Sequence, residues 1–354
     1  MVQFLIDLAR PHRERPVLFL TEDSSLVALH GHREELERWY RFPHAPWPVL
    51  KRIVNKDQLY RDLDGVVPIP RTRAAGGEAS LDEVAREIGF PAIVKPPLRC
   101  RSGAPAGSVP FERIFGDKAV RVSSLDELQA VSRRARRHGF SVLVQEEIDG
   151  PVSLLYSVGL YATRGGAVPA AFTSQKLGQA PPDFGDGLVV RAVRAPQLVP
   201  LATAALRRFG YYGMADIEFK ADLRAGTYKL LDINPRPWLW INLPTACGVN
   251  LPYAAFLDAV DHRVDPAAFV QHDFTTRWVS ARGALVHLGR SLAAGRAPRG
   301  LLGALGRAGG RRVGPLLHRH DLLVRMFLSP RYWRDVLQTL KVRRRQASTL
   351  VQEH

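Results

Sequence analysis

Three oxygen-bearing side chains, Glu218, Asp232 and Asn234, are spaced so that a single metal ion could gather them. Residues Ala215 to Lys220 read as a strand, polar residues through Asp222 and Gly226 reverse the chain, and Tyr228 to Asn234 read as a second strand. Side chains alternate faces along a strand, so Asp232 and Asn234 project together, as do Asp216 and Glu218. A reversal near Arg224 to Ala225 sets Glu218 opposite Asp232, with Cβ atoms about 5 Å apart. Two carboxylates and an amide oxygen that close repel one another unless a cation lies between them. An all-oxygen set of this kind suits magnesium, or manganese in its place. A solvated sheet face carries the same residue types. The metal reading is favoured because Leu230, Leu231, Ile233 and Ile217 mark the other side as core. Asn234-Pro235-Arg236-Pro237 is also a rigid exit that fixes where an arginine points.

The elements that must position these groups alternate between strand and helix. Phe90 to Lys95 is a short apolar strand ending in a lysine before two prolines, and an ammonium at a sheet end suits a polyphosphate better than a core. Asn55-Lys56-Asp57 opens a helix through Tyr60 and Leu63, where a lysine is ordinarily just solvated. Leu81 to Ile88 is a helix stopped by Gly89, and Ser124 caps another from Asp126 to His138. Val142 to Ile148 is a buried strand that turns acidic at its end. Leu154 to Tyr161 and Ala167 to Thr173 form a hairpin, followed by Gln175-Lys176 and a Gly/Pro-rich loop from Gln179 to Gly187. The helix Ala195 to Phe209 then delivers the chain to the acidic hairpin. At the front, Val17 to Thr21 reads as a buried parallel strand of a Rossmann-like layer, followed by a helix capped by Ser24 or Ser25. Trp238 and Trp240 read first as core and second as the wall of a pocket.

Glu218 followed by Asp232-Ile233-Asn234-Pro235-Arg236 resembles the magnesium signature of the ATP-grasp superfamily. Asn55-Lys56-Asp57, Phe90 to Pro96 and Leu143 to Gly150 agree with that family in order and distance. In detail the chain resembles carboxylate–amine ligases related to D-aspartate ligase. The resemblance implies an α/β (α+β) ATP-grasp fold in which two α+β subdomains, about 67–143 and 144–262, clamp ATP. A partial Rossmann-like pre-ATP-grasp domain (1–66) precedes them and a basic helical extension (263–354) follows. It implies ATP and Mg²⁺ as cofactors, with Lys56 and Lys95 on the phosphates, and Ser102 and Gly103 in a glycine-rich flap over them. Gln145, Glu146, Glu147 and Ile148 lie at the hinge that reads the adenine edge. Ser153 stands where relatives carry an acid for the ribose, Lys176 reaches the γ-phosphate, and Arg191 either holds a carboxylate or is simply solvated. The activity implied is ligation of a small carboxylate to an amine through an acyl phosphate, with Arg236 stabilising the oxyanion. Three alternatives stay open: another acceptor, as in a kinase or carboxylase; a nucleotide sensor without catalysis; and a basic protein that binds nucleic acid or membrane through residues 261–354.

The 354 residues carry 50 Lys and Arg against 34 Asp and Glu, a net charge of +16, and 46% are apolar, which supports a large core in two or three units. The excess is uneven, with seventeen Lys and Arg against six Asp and Glu between Asp261 and His354. That tail reads either as helices capping the preceding domain or as helices resting on anionic lipid. That tail holds most of the excess charge, and nucleic acid is not the expected partner. Relatives carry a complete leading domain where this chain starts at the equivalent of its middle; an exposed sheet edge would then favour a homodimer. Cys100 and Cys247 give neither a disulfide framework nor a zinc spacing, which suits a cytoplasmic setting. No signal peptide and no run of about eighteen apolar residues is found.

Overall fold

The computed structural model describes residues 1–75, 80–98, 109–181, 184–293 and 310–315. Within them two antiparallel sheets carry the site. The smaller sheet has strands β1 (Thr72–Ala75), β2 (Ala92–Lys95), β3 (Val120–Val122) and β4 (Val142–Glu146) in the order β1-β4-β2-β3. The larger has β5 (Leu155–Ala162), β6 (Ala170–Ala180), β7 (Asp186–Ala192), β8 (Gly213–Asp222), β9 (Thr227–Asn234), β10 (Arg277–Val279) and β11 (Arg312–Val313). Its order is β11-β10-β7-β6-β5-β8-β9, and only the β10–β11 pair is parallel. This mixed α+β arrangement, with chain crossing between the sheets after Glu146, is the ATP-grasp fold that the motifs imply.

Local chemistry explains the elements that frame the site. The helix Leu81–Ile88 starts with a complete capping box, Ser80 and Glu83 each accepting from the other's amide, and ends at Gly89 with φ +78°. Its Val84 and Ile88 pack with Leu128, on the helix Leu125–Arg137, against one face of the small sheet. The large sheet buries Val158, Ile217, Phe219, Leu230 and Ile233 against the helix Leu198–Phe209 and the N-terminal helices. Each such side chain contributes roughly 1.5–3 kcal/mol by leaving water.

Several expectations are corrected. Val17 to Thr21 is not a sheet strand: it makes one parallel bridge, Val17 to Arg41, with Leu18 N donating to Arg41 O at 2.9 Å. Its only partner is the Pro16–Arg41 neighbourhood, so the ladder cannot propagate. The next helix, Asp23–Leu29, has Glu22 rather than a serine at its N-cap, and Ser24 Oγ instead donates to the Glu22 carboxylate at 3.0 Å. β6 runs on to Ala180, so Lys176 lies within a strand and not after one. The large sheet also continues past residue 262, because β10 pairs with β7. The helix begun at Ala281 is described to Ala293; the basic segments beyond residue 315 and the flap residues Ser102 and Gly103 lie outside the described residues. Among the described residues no helix is long and apolar enough to cross a membrane.

Candidate active site

Four side chains of the acidic hairpin line one face of the large sheet in a cleft of about 1320 Å³. Glu218 lies directly opposite Asp232, and Asp216 opposite Asn234. The turn alone does not produce this. From Asp222↔Thr227 to Phe219↔Leu230 the register leads Glu218 towards Leu231; a bulge at Leu231 advances the pairing by one residue. The same bulge lets Leu230 and Ile233, three residues apart, both bury on the core side, at 0% and 1% exposure. Asp232 and Asn234 then face the cleft.

Lysines from two other elements pair with these oxygens, and a third stands nearby on the small sheet. Asn55 caps the helix Lys56–Leu63, its side chain accepting from the amides of Asp57 and Gln58 at 3.1 and 3.3 Å. That cap sets Lys56 at the first helical position, and its Nζ pairs with Asp232. Lys176 on β6 is buried and donates to Glu218 Oε1 at 3.4 Å. Lys95 ends β2, donating to Tyr60 Oη at 2.8 Å and to Gln145 Oε1 at 2.9 Å, with its Nζ 4.8 Å from the Tyr60 ring centre. Burial pushes Lys95 down to about 8, against the opposing pull of Asp232. Gln145 acts through Lys95 and is itself fixed by donating to Thr72 Oγ1 at 2.7 Å.

Asp216 is the most enclosed acid of the group, at 0% exposure. Burial, reinforced by Glu218, pushes its carboxyl up to about 8 despite Lys176. Its Oδ1 has no hydrogen-bond partner, while Oδ2 accepts from Asn234 Nδ2 at 3.5 Å. Among the described residues no three His, Cys, Asp or Glu side chains gather tightly enough to hold an ion by themselves. Two opposed carboxylates and an amide oxygen are instead the partial set that Mg²⁺ takes when substrate phosphates complete its octahedron. The donor chemistry fits that ion.

Arg236 is placed by a partner from the N-terminal region. Its Nε and Nη2 donate to Asp23 Oδ1 and Oδ2 at 2.6 and 3.3 Å, and Nη1 donates to Pro237 O at 3.1 Å. Burial lowers its pKa, but the two-point bond to Asp23 more than restores it. At the other end of the cleft the ladder of β4 stops at Glu146, leaving the backbone of Glu147 and Ile148 outside the sheet. Glu146 is already engaged: Lys229 pairs with it, Arg71 Nε donates to Oε2 at 2.8 Å, and Arg71 N to Oε1 at 3.1 Å. Glu147 accepts from Arg121 Nε at 2.6 Å, and Ile148 lines the cleft as an apolar wall.

Ser153 and Arg191 are not brought to the cleft. Ser153 lies on a short 3₁₀ turn, where its carbonyl accepts from Gln175 Nε2 at 2.6 Å. Arg191 pairs across β6 with Gln175, the neighbour of Lys176, and so points to the sheet's other face. Conversely, Asp23, Tyr60, Lys118, Asp216 and Lys220 line or support the cleft without having been singled out as site residues. Lys118 pairs with Asp186 at the start of β7. Only Asp216 and Lys220 had a signal, alternation with Glu218; Asp23 and Lys118 are joined to the site by tertiary contact alone.

Residues 153–282 match the family model described as ATP-grasp in the biosynthetic pathway with Ter operon. Over 268 residues the chain is 25% identical to D-aspartate ligase of Enterococcus faecium (strain Aus0004), covering 73% of this chain and 61% of that protein. Among solved structures it is similar to a biotin carboxylase–βγ-ATP complex from Campylobacter jejuni, with TM-score 0.60 and 16% identity over 78% of this chain and 60% of that one. It is also similar to the D-alanine–D-alanine ligase of Coxiella burnetii, with TM-score 0.51 and 16% identity over 66% of this chain and 64% of that one.

Proposed function

This chain is an ATP-grasp protein that resembles carboxylate–amine ligases, and on that premise we propose that it joins a small carboxylate to an amine at the expense of ATP. The observation that carries this reading is the direct opposition of Glu218 and Asp232 in a cleft that Lys56, Lys95, Lys176 and the hinge Glu146–Ile148 also line. Glu218, Asp232 and Asn234 would hold Mg²⁺, which when bound neutralises charge on the β- and γ-phosphates.

The chain's own groups account for the rest. Lys95 and Lys56 supply ammonium donors to the phosphates, Lys56 leaving Asp232 as the nucleotide enters, and Lys176 reaches the terminal phosphoryl group from Glu218. Ile148, Val152 and Leu155 give an apolar slot for a planar base, while the free backbone of Glu147 and Ile148 reads its edge. A carboxylate oxygen attacks the γ-phosphorus and ADP leaves, forming an acyl phosphate. The amine nitrogen then attacks the carbonyl carbon, phosphate departs with the bonding pair, and the amine proton is lost to solvent. Arg236, oriented by Asp23, stabilises the oxyanion of that second step.

Amino acids and small carboxylates are screened for stimulated ADP release, with hydroxylamine as trap. One acid should give both ADP and a hydroxamate, and Asp232→Ala should give neither. Nucleotide binding with no ADP release for any acid and amine pair overturns the ligase reading in favour of a nucleotide sensor. ADP release without hydroxamate points instead to another acceptor.

A further inference from the structure

One row of directly opposed residues crosses the large sheet on the face away from the cleft: Phe219, Tyr156, Gln175, Arg191, Arg277 and Arg312. It begins in the apolar core and ends in three adjacent arginines on β7, β10 and β11. Opposed side chains on one sheet face lie close enough to interact, and like charges so placed repel. Arg277 is nonetheless 7% exposed, and its Nε and Nη1 are buried without a hydrogen-bond partner. Arg191 Nε is buried without a partner as well. No described Asp or Glu forms an ion pair with either arginine. Burial first, then Arg191 and Arg312, lowers the Arg277 pKa.

One hydrogen bond orients the Arg191 guanidinium. Gln175 Nε2 donates to Ser153 O at 2.6 Å and to Tyr156 Oη at 3.3 Å, which aims its Oε1 at Arg191 Nη2, 2.7 Å away. Buried charge without a counter-charge is among the costliest features a fold can carry. Two directly opposed guanidinium groups with unsatisfied N–H donors are the chemistry that holds a tetrahedral oxyanion. We propose that Arg191 and Arg277 form a binding site for a small phosphate-class oxyanion, separate from the nucleotide cleft. The anion is either free inorganic phosphate or the phosphate of a small monoester.

The test is thermal melting of the whole chain in inorganic phosphate or in glycerol phosphate, each against chloride at matched ionic strength. Wild-type protein should show a saturable rise, about 3–4 °C at a concentration one hundredfold above half-saturation. The larger rise of the two names the source. Lys95→Met, which disarms the cleft, should keep the rise, whereas Arg277→Met and Arg191→Gln should each lose it. In chloride, Arg277→Met should melt at or above wild type because it deletes an unpaired buried charge. The proposal is overturned if neither anion raises the midpoint beyond chloride, if the rise survives in both arginine variants, or if Lys95→Met abolishes it. A folded Arg277→Met that melts well below wild type in chloride overturns it too, since Arg277 would then be serving packing alone. Should Arg277→Met not fold, Arg191→Gln decides the same question.

Discussion

Two neighbouring rows of the large sheet treat charge in opposite ways. On the cleft face Asp232 and Glu218 oppose each other, and each has an ammonium, Lys56 or Lys176. On the other face Arg191 and Arg277 oppose each other with no carboxylate between them. Adjacent residues of one strand, Ser174 and Gln175, belong to the two different rows, so the pleat alone separates them. A matched row holds its carboxylates against ammonium groups that another cation can replace. An unmatched row holds its donors ready for an anion. The lesson is that a charge in this sheet is read from what stands across from it, not from its own type.

The cleft row depends most on Asp232. Asp232→Ala should lower ADP release at least about a hundredfold, the scale for removing one charge-stabilising group, while the melting point changes little. Equal loss of fold and activity would mean that Asp232 serves the hairpin and not the chemistry. Next in size is Asp23→Asn, which releases one arm of Arg236. Turnover should fall about tenfold with nucleotide affinity unchanged, as measured by separate kcat and nucleotide-binding titrations.

Lys95 makes the cleft sensitive to pH. Its pKa near 8 in the free protein rises when an anionic phosphate arrives, so binding takes up a proton. Nucleotide affinity should therefore be level below pH 8 and weaken by up to about tenfold per unit above it. Lys95→Met should remove that slope, and a slope unchanged in the variant would assign the proton elsewhere.

The smallest effect belongs to Asp216. Its folded pKa near 8 lies above the ordinary carboxyl value, so the folded state binds the extra proton. The stability this confers is fully present below about pH 4 and is lost as pH rises through about 8. Asp216→Asn mimics the neutral acid and should flatten that part of the stability–pH curve, followed by denaturant melts from pH 4 to 9.

Much of the fold was legible because local chemistry repeats itself. Ser80 with Glu83, Asn55 before Lys56, and the glycines after Ile88 and Phe209 set helix limits that tertiary contacts leave in place. The front of the chain was less legible, because an apolar run such as Val17 to Thr21 becomes a strand only if a partner is at hand, and its partner is a single bridge. β10 was invisible for the converse reason: Arg277-Trp278-Val279 has no strand-like pattern of its own and is ordered by β7.

For the site, alternation and one hairpin reversal, both written in the chain, bring Asp232 within one residue of facing Glu218. Only the tertiary structure decided that Leu231 would bulge to complete that register, that Asp23 would clamp Arg236, and that Arg191 would meet Arg277 behind the cleft. Alternation and capping act over a few residues and are written in the chain's order. Contacts between residues 213 positions apart, as for Asp23 and Arg236, exist only once packing has brought their elements together.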